Sequence, residues 1–275
     1  MEYLNFYKFK EDPFGITPDP EFFYPSKVHM EALQSMEYLL KKGEGFMLII
    51  GEPGTGKTTL IRTFLKNFNQ EVSPIIIYQS TLSSKEFLKA IAKEIAKDEI
   101  TVDENIGKKF DKIDLLEVLK KEFISRKNRG FKNVIIIDEA QDLPEETLTE
   151  IKHLSNIETE KEKLVHLILL GQPYFEGILK SPHYAQLNQR ISLKVRLTHF
   201  DREEVENYIK FRIQRAGDVP VTFEKKAIKK IHKVSKGIPR IINLICSRAL
   251  MVGYLESSYV IKKAYVKAAI KHLDL

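Results

Sequence analysis

Residues Gly51-Glu52-Pro53-Gly54-Thr55-Gly56-Lys57-Thr58-Thr59 carry the densest chemistry in the chain. They match G-x-x-x-x-G-K-[ST] at every fixed position. Glycines let a backbone curl so that successive N–H groups face one anion. A helix starting at Lys57 adds the partial positive charge of its N-terminus. In such a loop the Lys57 ammonium reaches the β- and γ-phosphates, and the Thr58 hydroxyl is a ligand for Mg²⁺. A second constellation is Asn133-Val134-Ile135-Ile136-Ile137-Asp138-Glu139-Ala140, an apolar run ending in adjacent carboxylates. Downstream of a phosphate loop, Asp138 suits Mg²⁺ and Glu139 suits the polarisation of an attacking water. A third is Gln172, after the apolar run Leu164–Leu170. Gln172 reads equally as a γ-phosphate contact or as a turn residue.

Positioning these groups calls for an α/β sandwich. Phe46–Ile50 is apolar throughout, the pattern of a strand covered on both faces, and Ile75–Tyr78, Asn133–Ile137 and Leu164–Leu170 read as further buried strands. Ile191–Leu197 alternates and predicts a strand nearer an edge. Helical spacing is expected over His29–Lys41 with Ser26 as cap, Lys85–Lys97 capped by Ser83 or Ser84, Leu115–Arg126 and Leu143–Asn156. Lys97–Asp111 reads as a charged loop. Residues 1–28, rich in Phe, Tyr and Pro, predict an extended segment whose aromatics either wall an adenine pocket or cover a hydrophobic face. From Asp201 onward the pattern is helical, with an Asp201/Glu204 capping box and Thr222 as a cap for a helix near Glu224. The expected domains are residues 1–198 and 199–275.

The 275 residues are 43% hydrophobic and 30% charged, enough for a sizeable core. The lone Cys246 excludes an internal disulfide and reads as a core thiol, in keeping with a reducing cytoplasm. No apolar run approaches the roughly 20 residues that span a bilayer. The N-terminus lacks the basic-then-apolar order of a signal peptide. Residues 199–275 hold 16 Lys and Arg against 8 Asp and Glu, within a chain of net charge +6. That excess suits a solvated helical face first, and DNA, anionic lipid or an acidic protein second.

The phosphate loop, the Asp-Glu strand and the helical end together resemble AAA+ ATPases, and within them the ExeA/GspA-type ATPases of type II secretion and MshM-like pilus ATPases. Tyr3 to Phe14, Thr17-Pro18-Asp19-Pro20, Asp138-Glu139-Ala140-Gln141-Asp142-Leu143, Leu154–Thr159, Leu170-Gly171-Gln172-Pro173, Gln186–Ile191 and Gly237-Ile238-Pro239-Arg240-Ile241-Ile242-Asn243 carry the resemblance. It implies a P-loop NTPase αβα sandwich with a C-terminal all-helical lid, binding and hydrolysing ATP with Mg²⁺. It also implies that Glu139, Arg190, Arg240 and Gln172 are catalytic. Arg190 corresponds to an arginine finger acting in a neighbouring subunit, Arg240 to a lid sensor that also contacts nucleotide, and Gln172 to a sensor where Asn, Thr or Ser is usual. Gln79 would restrain Glu139. Tyr174 stands where that family more often has Glu.

The expected partners are further copies of the chain in a ring or filament, and an inner-membrane secretion or pilus complex. The expected place is the cytoplasm, peripheral to the inner membrane. Members of that family often continue into a transmembrane and periplasmic part, so the sequence reads as an excised cytoplasmic domain or a short soluble relative. The alternative is a transposition-type AAA+ regulator forming ATP-dependent filaments on DNA, and a third reading is a nucleotide-bound scaffold with little turnover.

Overall fold

The computed structural model describes residues 2–68, 71–78, 81–97, 111–158, 162–217 and 219–275. Gln79, Thr159 and most of the charged stretch before Asp111 lie outside them. The chain opens on a helix, α1 (Glu2–Tyr7), where the sequence predicts an extended segment; the prolines that block helix begin only at Pro13. Next comes α2 (Lys27–Lys42), whose cap is Ser26: its Oγ accepts the His29 N–H at 3.4 Å. β1 (Phe46–Gly51) feeds the glycine-rich loop, and α3 (Lys57–Asn67) leaves it.

Then follow β2 (Val72–Ile77) and α4 (Ser84–Lys97), before which Ser83 donates to the Glu86 carboxylate through N–H (2.9 Å) and Oγ (2.6 Å). α5 (Lys112–Asn128) starts with a reciprocal capping box of Asp111 and Asp114. β3 (Lys132–Ile137), α6 (Glu145–Leu154), β4 (Val165–Gly171), α7 (Pro173–Leu179), α8 (Ala185–Arg190) and β5 (Leu193–Leu197) complete the α/β part. The final stretch holds α9 (Arg202–Ala216), β6 (Thr222–Phe223), α10 (Lys225–Ser235), α11 (Pro239–Leu255), β7 (Val260–Ile261) and α12 (Lys263–His272).

That last stretch is not wholly helical. β6 and β7 pair in parallel, Thr222 with Val260 and Phe223 with Ile261. Thr222 therefore does not cap α10; its N–H goes to the Tyr259 carbonyl at 3.0 Å. The last helix, α12, starts only at Lys263, because the β-branched Val260 and Ile261 suit an extended ladder, in which Ile261 is buried and Val260 is exposed. The Asp201/Glu204 capping box is present.

The described residues fall into two compact units: residues 30–52 with 64–197, and residues 1–29 with 53–63 and 198–275. The first is built on a parallel sheet in the order β2-β3-β4-β1-β5, with β5 at an edge as its alternation predicts. Leu48, Ile50, Ile75, Ile77, Ile135, Ile137, Leu167 and Leu169 share one core with Phe87, Ile91, Leu119, Phe123 and Ile151 from the helices. The alternate residues Met47, Ile49, Val134, Ile136, Ile168 and Leu170 are buried as well, which is why these strands read as apolar runs broken only by the buried Asn133 and His166.

The second unit buries Tyr3, Tyr7, Phe9, Phe14 and Phe22 among the apolar sides of α9 to α12. The N-terminal aromatics thus fill a hydrophobic core here. The segment is anchored by Arg212, 7% exposed, whose guanidinium donates to the carbonyls of Pro13 (2.5 Å) and Gly15 (3.0 Å) and lies 4.4 Å over the Phe22 ring. Cys246 is fully buried and its thiol is pushed well up by burial, as a core residue would be.

Gly237 joins α10 to α11 at φ +79°, and a Cβ there would stand 2.0 Å from the Phe200 carbonyl oxygen. That contact is backbone against backbone, and it also carries the bond from Phe200 N–H to Gly237 oxygen (3.0 Å). Gly237→Ala is expected to cost at least about 2 kcal/mol of stability in chemical denaturation. An unchanged midpoint would contradict this packing.

Candidate active site

The loop between β1 and α3 has positive φ at Gly54 (+86°) and Gly56 (+99°), conformations that favour glycine. Gly56 is also the residue whose carbonyl accepts the first helical bond of α3, from Leu60 N–H at 2.9 Å. Two carbonyls of the loop are held by groups of the same unit. The Arg240 N–H, in the first turn of α11, donates to the Gly54 oxygen at 3.2 Å. The His29 ring bonds the Thr55 oxygen through Nε2 at 2.9 Å. In a trans peptide the carbonyl and the next N–H point opposite ways, and no cis bond occurs among the described residues. The N–H groups of Thr55 and Gly56 are therefore turned away from Arg240 and His29. Lys57, 6% exposed, starts the helix directly after them, followed by the half-buried Thr58 and Thr59.

This donor set suits a polyphosphate: consecutive main-chain donors, a helix N-terminus and an ammonium, with no carboxylate between Pro53 and Thr59. Gly51 closes β1, Glu52 and Pro53 are exposed, and Thr55 is fully buried. The packing also explains both inner glycines. A Cβ on Gly54 would stand 2.7 Å from the Arg240 Cβ, and one on Gly56 would stand 3.0 Å from His29 Nε2. Arg240 is thus joined to the loop through its backbone, with its side chain exposed.

The carboxylates lie in the sheet unit. Asp138 extends the β3 ladder, its N–H donating to Ile77 oxygen at 3.0 Å. Glu139 turns sharply into a left-handed conformation, φ +48° and ψ +45°, with its N–H on Asp138 Oδ1 at 2.9 Å. A non-glycine residue held there carries backbone strain of about 1–2 kcal/mol; such strain recurs at sites where a side chain must be aimed. Glu139 Oε2 accepts from Gln141 Nε2 (2.7 Å) and Gln172 Nε2 (3.2 Å). Gln141 closes the cluster by accepting the Gln172 N–H at 3.1 Å. Asp138, Glu139 and Gln172 are thus brought together, and Gln172 is both the residue before α7 and a partner of Glu139.

Gln141 belongs to the Asp138–Leu143 stretch that carries the resemblance, but the sequence assigns it no role; it lies in a one-turn helix over Ala140–Asp142. Tyr174 OH reaches Asp142 Oδ1 at 3.4 Å. Arg190, the last residue of α8, is exposed, and no hydrogen bond or ion pair joins it to this cluster among the described residues. Its charge helps Lys163 hold the Glu158 carboxyl below its ordinary value.

Residues 40–179 match the AAA domain family. The chain is 36% identical over 257 residues to general secretion pathway protein A of Aeromonas hydrophila, covering 94% of this chain and 46% of that protein. It therefore spans about half the length of that curated relative. Among solved structures, it is similar to the ADP form of the ORC2 protein of Aeropyrum pernix (TM-score 0.72, 15% identity, 96% of this chain and 73% of that one). It is similar also to Cdc6p of Pyrobaculum aerophilum (0.68, 17%, 92% and 71%) and to the RuvB Holliday junction branch migration motor of Thermotoga maritima (0.60, 19%, 95% and 73%). These likenesses show the fold, a P-loop NTPase α/β architecture with a helical C-terminal part.

Proposed function

The chain belongs to the AAA domain family, and from that premise we propose that it binds ATP with Mg²⁺, hydrolyses it, and uses the turnover in assembling an envelope secretion complex. The observation that carries the nucleotide part is the loop geometry: two carbonyls held by Arg240 and His29, with the N–H groups beyond them turned the other way ahead of a buried Lys57. Backbone N–H groups of Gly54 to Thr58 would grip the phosphates, and Lys57 would neutralise them. Thr58 and Asp138 would hold the metal, which when bound offsets charge on the phosphate oxygens. Glu139, aimed by Gln141 and Gln172, would take a proton from the attacking water. The exposed Arg240 guanidinium would lie along the phosphates.

The secretion role is supported by the likeness to general secretion pathway protein A. No helix among the described residues is long and apolar enough to cross a membrane. A place on the cytoplasmic side of the envelope, reached through a partner, is part of the proposal.

Arg190 is proposed to act in a neighbouring copy, supplying positive charge where transition-state charge gathers. Its exposure at the end of α8 suits that task. Arg190→Ala should leave ATP affinity unchanged in calorimetry and lower turnover at high protein concentration at least about 100-fold. Mixed with Glu139→Gln, itself inactive, it should regain activity, because one interface then pairs an intact Glu139 with an intact Arg190. No recovery at any ratio would overturn the trans role. The same phosphate-release assay on the wild type tests the function itself. Stimulation by duplex DNA with a steep salt dependence would move the reading to a DNA-bound regulator.

A further inference from the structure

We infer that His29 is a positioning residue of the phosphate loop: its ring bonds the Thr55 carbonyl and thereby sets the direction of the Gly56 N–H. This rests on the proposed nucleotide site and assigns work to a side chain that the loop motif does not contain. Four observations support it. The Thr55 oxygen can only accept, so Nε2 carries the proton in the 2.9 Å bond. Nδ1 must then accept, and it does so from the Ser26 hydroxyl at 2.7 Å. Ser26 Oγ in turn accepts the His29 N–H at 3.4 Å, so one serine caps α2 and fixes the tautomer. The ring is 4% exposed and sits edge-on to Phe23 (5.8 Å, 81°) and tilted to Phe200 (6.0 Å, 59°), which prevents it from turning.

The consequence for the loop is geometric. Rotation of the Thr55–Gly56 peptide would swing its carbonyl toward the anion and its N–H away. Glycine at 56 makes that rotation cheap, because no Cβ resists it. His29 removes the freedom that the glycine provides: it holds the oxygen, and Nε2 stands 3.0 Å from where a Cβ on Gly56 would lie. Burial pushes the ring below its ordinary titration range, so it is neutral at pH 7 and able to keep one donor and one acceptor.

The test compares wild type, His29→Ala, His29→Gln and Ser26→Ala for ADP binding by calorimetry, with thermal midpoints as the fold control. A glutamine amide can donate to the same carbonyl. ADP affinity should fall about tenfold in His29→Ala, the worth of one oriented charge-assisted donor. It should return to within about threefold of wild type in His29→Gln. Ring ¹⁵N spectra of the wild type should show His29 as the Nε2–H tautomer. Unchanged ADP affinity in a folded His29→Ala, a loss that His29→Gln does not repair, or an Nδ1–H tautomer would each overturn the inference. If His29→Ala does not fold, Ser26→Ala carries the test: weakened ADP binding with a mixed tautomer supports the inference, and neither change overturns it. If the wild type binds no nucleotide while the ring spectrum is as stated, the nucleotide reading has failed and the loop bond stands as packing alone. Wild-type binding with an indifferent His29→Ala sinks only the inference.

Discussion

Lys57→Ala should weaken ATP and ADP binding at least about 100-fold in calorimetry while the protein stays folded. The size follows from what the side chain is placed to do. Lys57 is 6% exposed at the first position of α3, where the helix N-terminus and the loop N–H groups already favour negative charge. In so dry a position, one ammonium–phosphate contact is stronger than at a surface. A loss of about 2.7 kcal/mol of binding free energy corresponds to the factor of 100. The thermal midpoint is the control, because a buried lysine also packs its methylenes. A variant with unaltered midpoint and unaltered affinity would remove the loop from nucleotide binding and leave the strand carboxylates without a substrate to act on.

Much of this arrangement is legible from residue order, and the reasons differ by element. The inner strands β1, β3 and β4 are visible because burial on both faces leaves them mostly apolar, and β5 because its alternation marks an edge. The phosphate loop is visible because two inner glycines, at φ +86° and +99°, admit no other residue without strain or contact. What sequence order hides is contact between distant segments. Nothing near Ser26 or His29 signals that an imidazole will hold a carbonyl 26 positions later. Gln141 is equally silent: its task depends on the left-handed turn at Glu139, which bends the chain so that a residue two places on can donate back to the carboxylate. The β6–β7 pair is missed for another reason. Two-residue strands have no periodicity, and Thr222 reads as a cap until its partner at Val260 is known.

Glu139→Gln should keep ATP affinity within about threefold of wild type and lower steady-state hydrolysis about 100- to 1,000-fold. The two readouts separate because the substitution preserves size and shape and removes only the capacity to accept a proton. Strain at φ +48° supports the same expectation, since a side chain with no directional task would relax more cheaply in an ordinary turn. Gln141 and Gln172 hold Oε2 from two sides, so the carboxylate is fixed before any water is polarised. Gln141→Ala should therefore lower turnover by less, about 3- to 10-fold, since Gln172 still orients the group. The ranking matters more than either value. If Glu139→Gln turns over ATP as fast as wild type, the strained carboxylate is not the base, and the chain acts as a nucleotide-dependent scaffold. If Gln141→Ala is as damaging as Glu139→Gln, the amide itself touches the reacting water, and the proton acceptor has to be sought around Gln141 instead of Glu139.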